Sequence, residues 1–161
     1  MVKSLLTGEV EALKKVRQEL GLGFKLTAIN CLKRHHSRFF PVDSRFADKL
    51  GNVPPGTVIE ACASKNDIFM VSQAALLGTC RPTHYTTIYD EINFGITDFE
   101  RLMLAGCFSY QRATRSVSLH SAVYYAHQVC ERAKMHVRAN KDGVLTLKDV
   151  ANTLQHTMYW Q

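Results

Sequence analysis

Apolar residues recur near a helical period at Leu6, Val10, Leu13 and Leu20, and Gly21 stands where a helix can stop, so the pattern predicts an amphipathic helix over 4–20. The apolar run FKLTAINCL (24–32) suits a buried strand, and GNVPPGT (51–57) carries the Pro and Gly of a turn. TVIEACAS (57–64) and DIFMVSQAA (67–75) predict an antiparallel hairpin through Lys65 and Asn66, and HYTTIYDE (84–91) alternates like a further strand. The second half changes period. TDFERLMLAGCFSYQRATR (97–115) predicts a helix with Thr97 as N-cap, and SAVYYAHQVCERAKMHV (121–137) predicts another. A loop at NKDGVL (140–145) and a closing helix over LKDVANTLQHTMYW (147–160) complete the chain. No internal repeat, low-complexity tract or linker marks a second domain, so the expectation is one α/β domain over 1–161.

Composition narrows the setting. A chain of 161 residues with 46% hydrophobic content is long enough for one packed core. Its five cysteines, at 31, 62, 80, 107 and 130, are odd in number and contain no CxxC pair, which argues against a disulfide framework or a zinc site and for a reducing compartment. The N-terminal stretch interleaves acidic and basic residues at helical spacing, so it is neither a secretory signal nor a membrane span. These features predict a soluble intracellular protein, cytoplasmic or nuclear. The formal charge of +6 favours an anionic partner, although charge alone leaves phosphate recognition and a merely solvated positive surface equally open.

The basic residues are clustered. LKRHHSRFF (32–40) ends the predicted strand in Lys33, Arg34, His35, His36 and Arg38. Tyr110, Arg112 and Arg115 fall at the end of the first predicted long helix, Ser116 and Ser118 in the connection, and Tyr124 and Arg132 on the next helix, whose start near Ser121 would add a positive dipole end. GTCRPTHY (78–85) puts Arg81 in a turn between them. For any one of these arginines a water-facing side chain is the commoner outcome. Two patches from separated segments, both at element ends where ligands gather in open α/β sheets, favour one phosphate-binding surface.

KRHHSRFF, GNVPPGT, LGTCRPTHY, RATRSVS, AVYYAHQVCERAKMHV and the terminal TMYWQ resemble, in this order, the C-terminal half of an Argonaute PIWI domain, from about residue 10 to the last residue. RPTHY, TRSVS and YYAH together make the resemblance specific. It implies a ribonuclease H-like fold, a mixed sheet flanked by helices, that carries a guide strand along a basic channel. By position, Lys33, Arg34, His36 and Arg38 correspond to family residues that meet the guide backbone. Arg81, Tyr110, Arg112, Arg115, Ser118 and Tyr124 correspond to holders of the seed phosphates, and Arg132 to the arginine that reaches toward the guide 5′-phosphate. The carboxylate of Gln161 falls where relatives tuck the chain end beside that pocket. Gln73 departs from the His that relatives often carry.

His127, in YYAH, matches the position that completes the metal-binding tetrad of slicing members, which use Mg2+ or Mn2+. A lone helical His is more often a satisfied core residue. Glu131, one turn on, could form a pair with it, but the resemblance does not support that role and an ion pair or solvation is expected instead. Two-metal cleavage needs several converging carboxylates, which the family carries upstream of the matched region. This chain alone is therefore expected to hold no metal stably and to be inactive; Asp142, in KDGV, falls in a loop that the family varies. The first strand is expected to leave an open edge.

The leading expectation is thus a portion of an Argonaute-like protein that binds a single-stranded guide RNA, or DNA, and its target strand in RNA silencing. An active endonuclease completed by an upstream segment, and a protein-interaction module that binds silencing partners and competes with full-length Argonaute, are the alternatives. No membrane partner is expected.

Overall fold

A computed structural model describes residues 6–61, 65–139, 145–147 and 157–158. The chain divides into two compact units, residues 1–120 and 121–161. In the first, a π-helical turn (Leu6–Val10) leads into helix α1 (Glu11–Glu19), followed by strand β1 (Thr27–Leu32), a 3-10 turn (Ser44–Phe46), strands β2 (Thr57–Glu60), β3 (Asp67–Val71) and β4 (Thr83–Asp90), and helix α2 (Ile96–Phe108). The strands form one sheet in the order β1-β4-β3-β2, every neighbouring pair antiparallel. β1 has β4 on one side and no strand on the other among the described residues.

The period of two sorts the strands into faces. Ile68 and Met70 of β3 and Tyr85 of β4 point one way and are sealed by Phe99 and Met103, one turn apart on α2. Ile29, Cys31, Val58, Phe94, Ile96 and Leu104 fill in around them. On the other face Val71 packs with Val53 and Cys80, supported by Phe39 and Ala75. The β2–β3 hairpin turns near Asn66, whose positive φ of 55° is a conformation Asn tolerates; its amide donates to the Phe94 carbonyl at 3.2 Å.

None of α1's residues is buried. An ion pair ties it to the sheet: Arg17 donates to both oxygens of Glu91, at 2.5 and 3.0 Å, and Glu91 also accepts from the Leu26 amide at 2.8 Å. Lys14 lies over the Tyr89 ring, 3.9 Å from its centroid.

Both ends of α2 differ from expectation. α2 starts at Ile96, with Gly95 as an extended N-cap and no side-chain cap, rather than at a Thr97 cap. It ends at Phe108, so Tyr110, Arg112 and Arg115 lie beyond the helix, not at its last turn. There the Val117 amide turns back to the Cys107 carbonyl at 2.9 Å, which pulls the chain into a loop.

The second unit contains helix α3 (Ser121–His136) and an antiparallel ribbon of β5 (Val137–Ala139) with β6 (Leu145–Leu147). The closing helix expected over 147–160 lies outside the described residues, except for Leu147 at the end of β6 and residues 157–158, which are not helical. The four described cysteines, 31, 80, 107 and 130, are free thiols.

Candidate nucleic-acid interface

The residues just after β1 alternate in orientation. His35 turns inward: Nε2 donates to the Pro82 carbonyl at 2.9 Å, and the ring meets Phe69 edge-on at 5.3 Å between centroids. Arg34 and His36, on either side, are exposed. Arg38 folds back, its guanidinium donating to the His35 carbonyl at 2.9 Å and the Ser37 carbonyl at 2.6 Å, so the segment is braced by its own backbone. Phe69 is stacked on His84, with centroids 4.1 Å apart and planes 11° from parallel. His84 in turn donates to the buried carboxylate of Asp67, which also accepts from Thr86 at 3.2 Å. This Asp67–His84 pair went unread in the sequence because its members sit on opposite strands.

Arg81 follows a loop closed by a side chain from the predicted 51–57 turn. Asn52, 1% exposed, accepts from the Cys80 amide at 2.8 Å and donates to the Gly78 carbonyl at 3.0 Å. Gly78 has a φ of +69°, the left-handed conformation this turn needs. Burial pushes the Cys80 thiol up and Asp48 adds to that, while the Arg81 amide and the charge of Arg38 work against it.

Lys33, Arg81 and Ser118 line one open concavity of about 370 Å³, together with Gln73, Thr79 and Cys80 and the aliphatic Ala75, Leu76 and Leu77. Leu76 and Leu77 are 77% and 89% exposed. Three segments separated by more than thirty residues thus share one wall. Gln73 and Thr79 are polar members that the sequence motifs do not mark as site residues; Gln73 is the position where relatives often carry His.

The loop at 109–120 supplies the rest of the first unit's candidates. Arg112 and Arg115 are exposed, Tyr110 is half-buried, and Ser118 is buried at the edge of the concavity. Among the described residues no carboxylate pairs with Arg34, Arg81, Arg112 or Arg115. Arg45 behaves differently: Asp43 accepts from its Nε at 2.9 Å and its Nη2 at 2.5 Å, so its charge is spent locally.

Tyr124, His127 and Arg132 belong to the second unit, on α3. Tyr124 and Arg132 are half-buried and His127 is exposed. Glu131 is ion-paired as expected, its Oε1 accepting from Lys134 at 2.5 Å, and that contact holds its carboxyl below the ordinary value. Gln161 lies outside the described residues. No group of three or more His, Cys, Asp or Glu side chains among the described residues is placed to hold a metal ion.

The Piwi domain family model matches residues 1–138. The chain belongs to the Piwi domain family. Protein argonaute 11 of Oryza sativa subsp. japonica is 36% identical over 138 residues, covering 81% of this chain and 16% of that protein. Protein argonaute MEL1 of the same species is 38% identical over 148 residues, covering 86% and 14%. This Piwi-domain chain therefore spans less than a fifth of the length of those relatives. Among solved structures, the C-terminal lobe of a budding yeast Argonaute matches with a TM-score of 0.82 and 25% identity over 99% of this chain and 37% of that one. Kluyveromyces polysporus Argonaute with a guide RNA matches at 0.71 and 29% identity over 82% and 18%. The sheet with flanking helices is accordingly the ribonuclease H-like PIWI fold that the sequence motifs implied.

Proposed function

We propose that this chain is the C-terminal half of a single PIWI domain, residues 1–161, and that it holds the backbone phosphates of a single-stranded guide RNA in RNA silencing. The observation that carries the reading is the shared concavity: Lys33 after β1, Arg81 before β4 and Ser118 in the loop after α2 line one hollow, with the aliphatic faces of Leu76 and Leu77 beside the charges. Cations that track a backbone, next to apolar surface on which bases or sugars rest, are the ingredients of single-strand recognition. Exposed Arg34, Arg112 and Arg115, none neutralised by a described carboxylate, are further candidates for phosphate contact. The Kluyveromyces polysporus relative solved with a guide RNA supports the same ligand class.

Binding is electrostatic in this reading, so it falls with salt, the logarithm of affinity dropping by about 0.7 per phosphate neutralised for each logarithmic unit of salt on a single strand. The test is the full chain against 5′-labelled single-stranded RNA by fluorescence anisotropy at several salt concentrations. Replacing Arg34, Arg112 and Arg115 together by alanine is expected to weaken binding and flatten the salt dependence. An unchanged curve at low salt overturns the proposal.

A further inference from the structure

The loop that carries Arg112, Arg115 and Ser118 is not paired into the sheet, yet it is fastened to it by three hydroxyls. Ser72, just beyond β3, donates from Oγ to the Val117 carbonyl at 2.6 Å, and Ser116 returns a bond from its Oγ to the Ser72 carbonyl, also at 2.6 Å. Thr83, the first residue of β4, donates from Oγ1 to the Ser118 carbonyl. All three donors are buried: Ser72 is 4% exposed, Ser116 8% and Thr83 0%. Their neighbours along the chain are members of the concavity. Gln73 follows Ser72, Arg81 precedes Thr83 by two residues, and Ser118 itself receives the third bond.

We propose that Ser72 and Thr83 are positioning residues for strand binding: their hydroxyls fix the backbone at 116–118 against the ends of β3 and β4, and so set the distance between the Arg81 and Ser118 sides of the concavity and the direction in which Arg115 leaves the loop. This rests on the single-strand reading above. A side-chain hydroxyl is the suitable device here. The segment after α2 meets the ends of two strands, where a buried carbonyl without a donor is costly. Each bond also has a defined length and angle, so the loop is registered rather than merely covered. Neither residue is solvent-accessible enough to meet a phosphate, so any effect on affinity comes through the groups they hold.

Ser72→Ala and Thr83→Val remove the donors at nearly constant volume, and Thr83→Ser keeps one. Binding of single-stranded RNA is measured across salt concentrations, alongside thermal unfolding of the RNA-free chain to certify folding. The expected result is a loss of about fivefold to tenfold for folded Ser72→Ala and Thr83→Val, with restoration in Thr83→Ser. In an Arg115→Ala background the Ser72→Ala loss shrinks, because both changes act on one contact. Parent-like affinity in folded Ser72→Ala, or a loss that is fully additive with Arg115→Ala, overturns the proposal. If Thr83→Val does not fold, Ser72→Ala and Thr83→Ser decide the matter. Failure of the parent chain to bind RNA defeats the single-strand reading itself, whereas sensitivity to the triple arginine change with indifference to Ser72 defeats only this inference.

Discussion

The imidazole of His120 occupies the space that a side chain on Gly106 would need: a Cβ added to Gly106 would overlap the ring. Gly106 is thus fixed by a tertiary contact within α2 and not by backbone conformation. The ring is held there because the His120 amide donates to the Tyr85 hydroxyl at 3.0 Å, in the floor of the main core. Gly106→Ala is therefore expected to destabilise the fold by about 1–3 kcal/mol, the usual cost of overpacking, despite the better helix propensity of Ala. His120→Ala in the same chain should recover much of that loss. Thermal unfolding of the two single variants and the double variant checks it, and additive losses would contradict the contact.

Acid should loosen the attachment of α1. Arg17 beside it, with Tyr89 and the Leu26 amide also donating, holds the Glu91 carboxyl at about 2 against an ordinary 4.5. A carboxyl whose folded value is depressed stabilises the fold fully above its unfolded value and loses that contribution as pH falls through the folded one. The melting-temperature difference between the parent and Glu91→Gln is expected to persist at neutral pH and to shrink between pH 4.5 and about 2. His120 acts in an earlier window: burial pushes its imidazole below 6.5, folding favours the neutral ring, and stability begins to fall once pH drops under 6.5. A Glu91→Gln difference that stays constant down to pH 2 would rule out the role of the ion pair.

Local pattern located the strands and helices of the first unit, since Ile68, Met70, Phe99 and Met103 announce their faces by spacing alone, but it did not reveal the β5–β6 ribbon, whose strands are only three residues each. It misjudged where α2 stops. The loop that follows is held from far away: Ser72 and Thr83 capture its backbone across 45 and 35 residues, and no periodicity in 97–115 records that. The same reason explains His35. In KRHHSR it is one donor among five, but its partners Pro82 and Phe69 come from elsewhere in the sheet and turn it inward, leaving Arg34 and His36 outside. Asn52 read only as part of a Pro-Gly turn, because the loop whose carbonyl and amide it clasps lies 26 and 28 residues on.

Thiol reactivity should report this packing. Burial pushes the Cys31 thiol up to about 11 and raises Cys107, which is 0% exposed and donates to the Met103 carbonyl at 3.3 Å. Cys130 is exposed on α3. Thiolate is the reacting form, so iodoacetamide at mildly alkaline pH is expected to label Cys130 quickly and Cys31 and Cys107 only after denaturant is added. Peptide mapping by mass spectrometry checks the order. Labelling of Cys107 as fast as Cys130 in the folded chain would show that the core around Tyr85 and Phe99 is open.

The cations that matter for a nucleic-acid strand can be separated from those that merely add to the net charge. Lys33 and Arg81 line the concavity, whereas Arg45 is exposed but held in a fork by Asp43, whose carboxyl it lowers in turn. A cation already paired releases few counterions when a phosphate arrives, because Asp43 must first be displaced. Lys33→Ala and Arg81→Ala are each expected to reduce the slope of log affinity against log salt by about 0.7 on single-stranded RNA. Arg45→Ala, which removes the same formal charge, should leave both slope and affinity at low salt near the parent values. Anisotropy titrations of the three variants decide between a localised trough and a diffuse positive surface: equal losses in all three would show that only net charge counts, and that the hollow between β1, β4 and the loop after α2 has no special role.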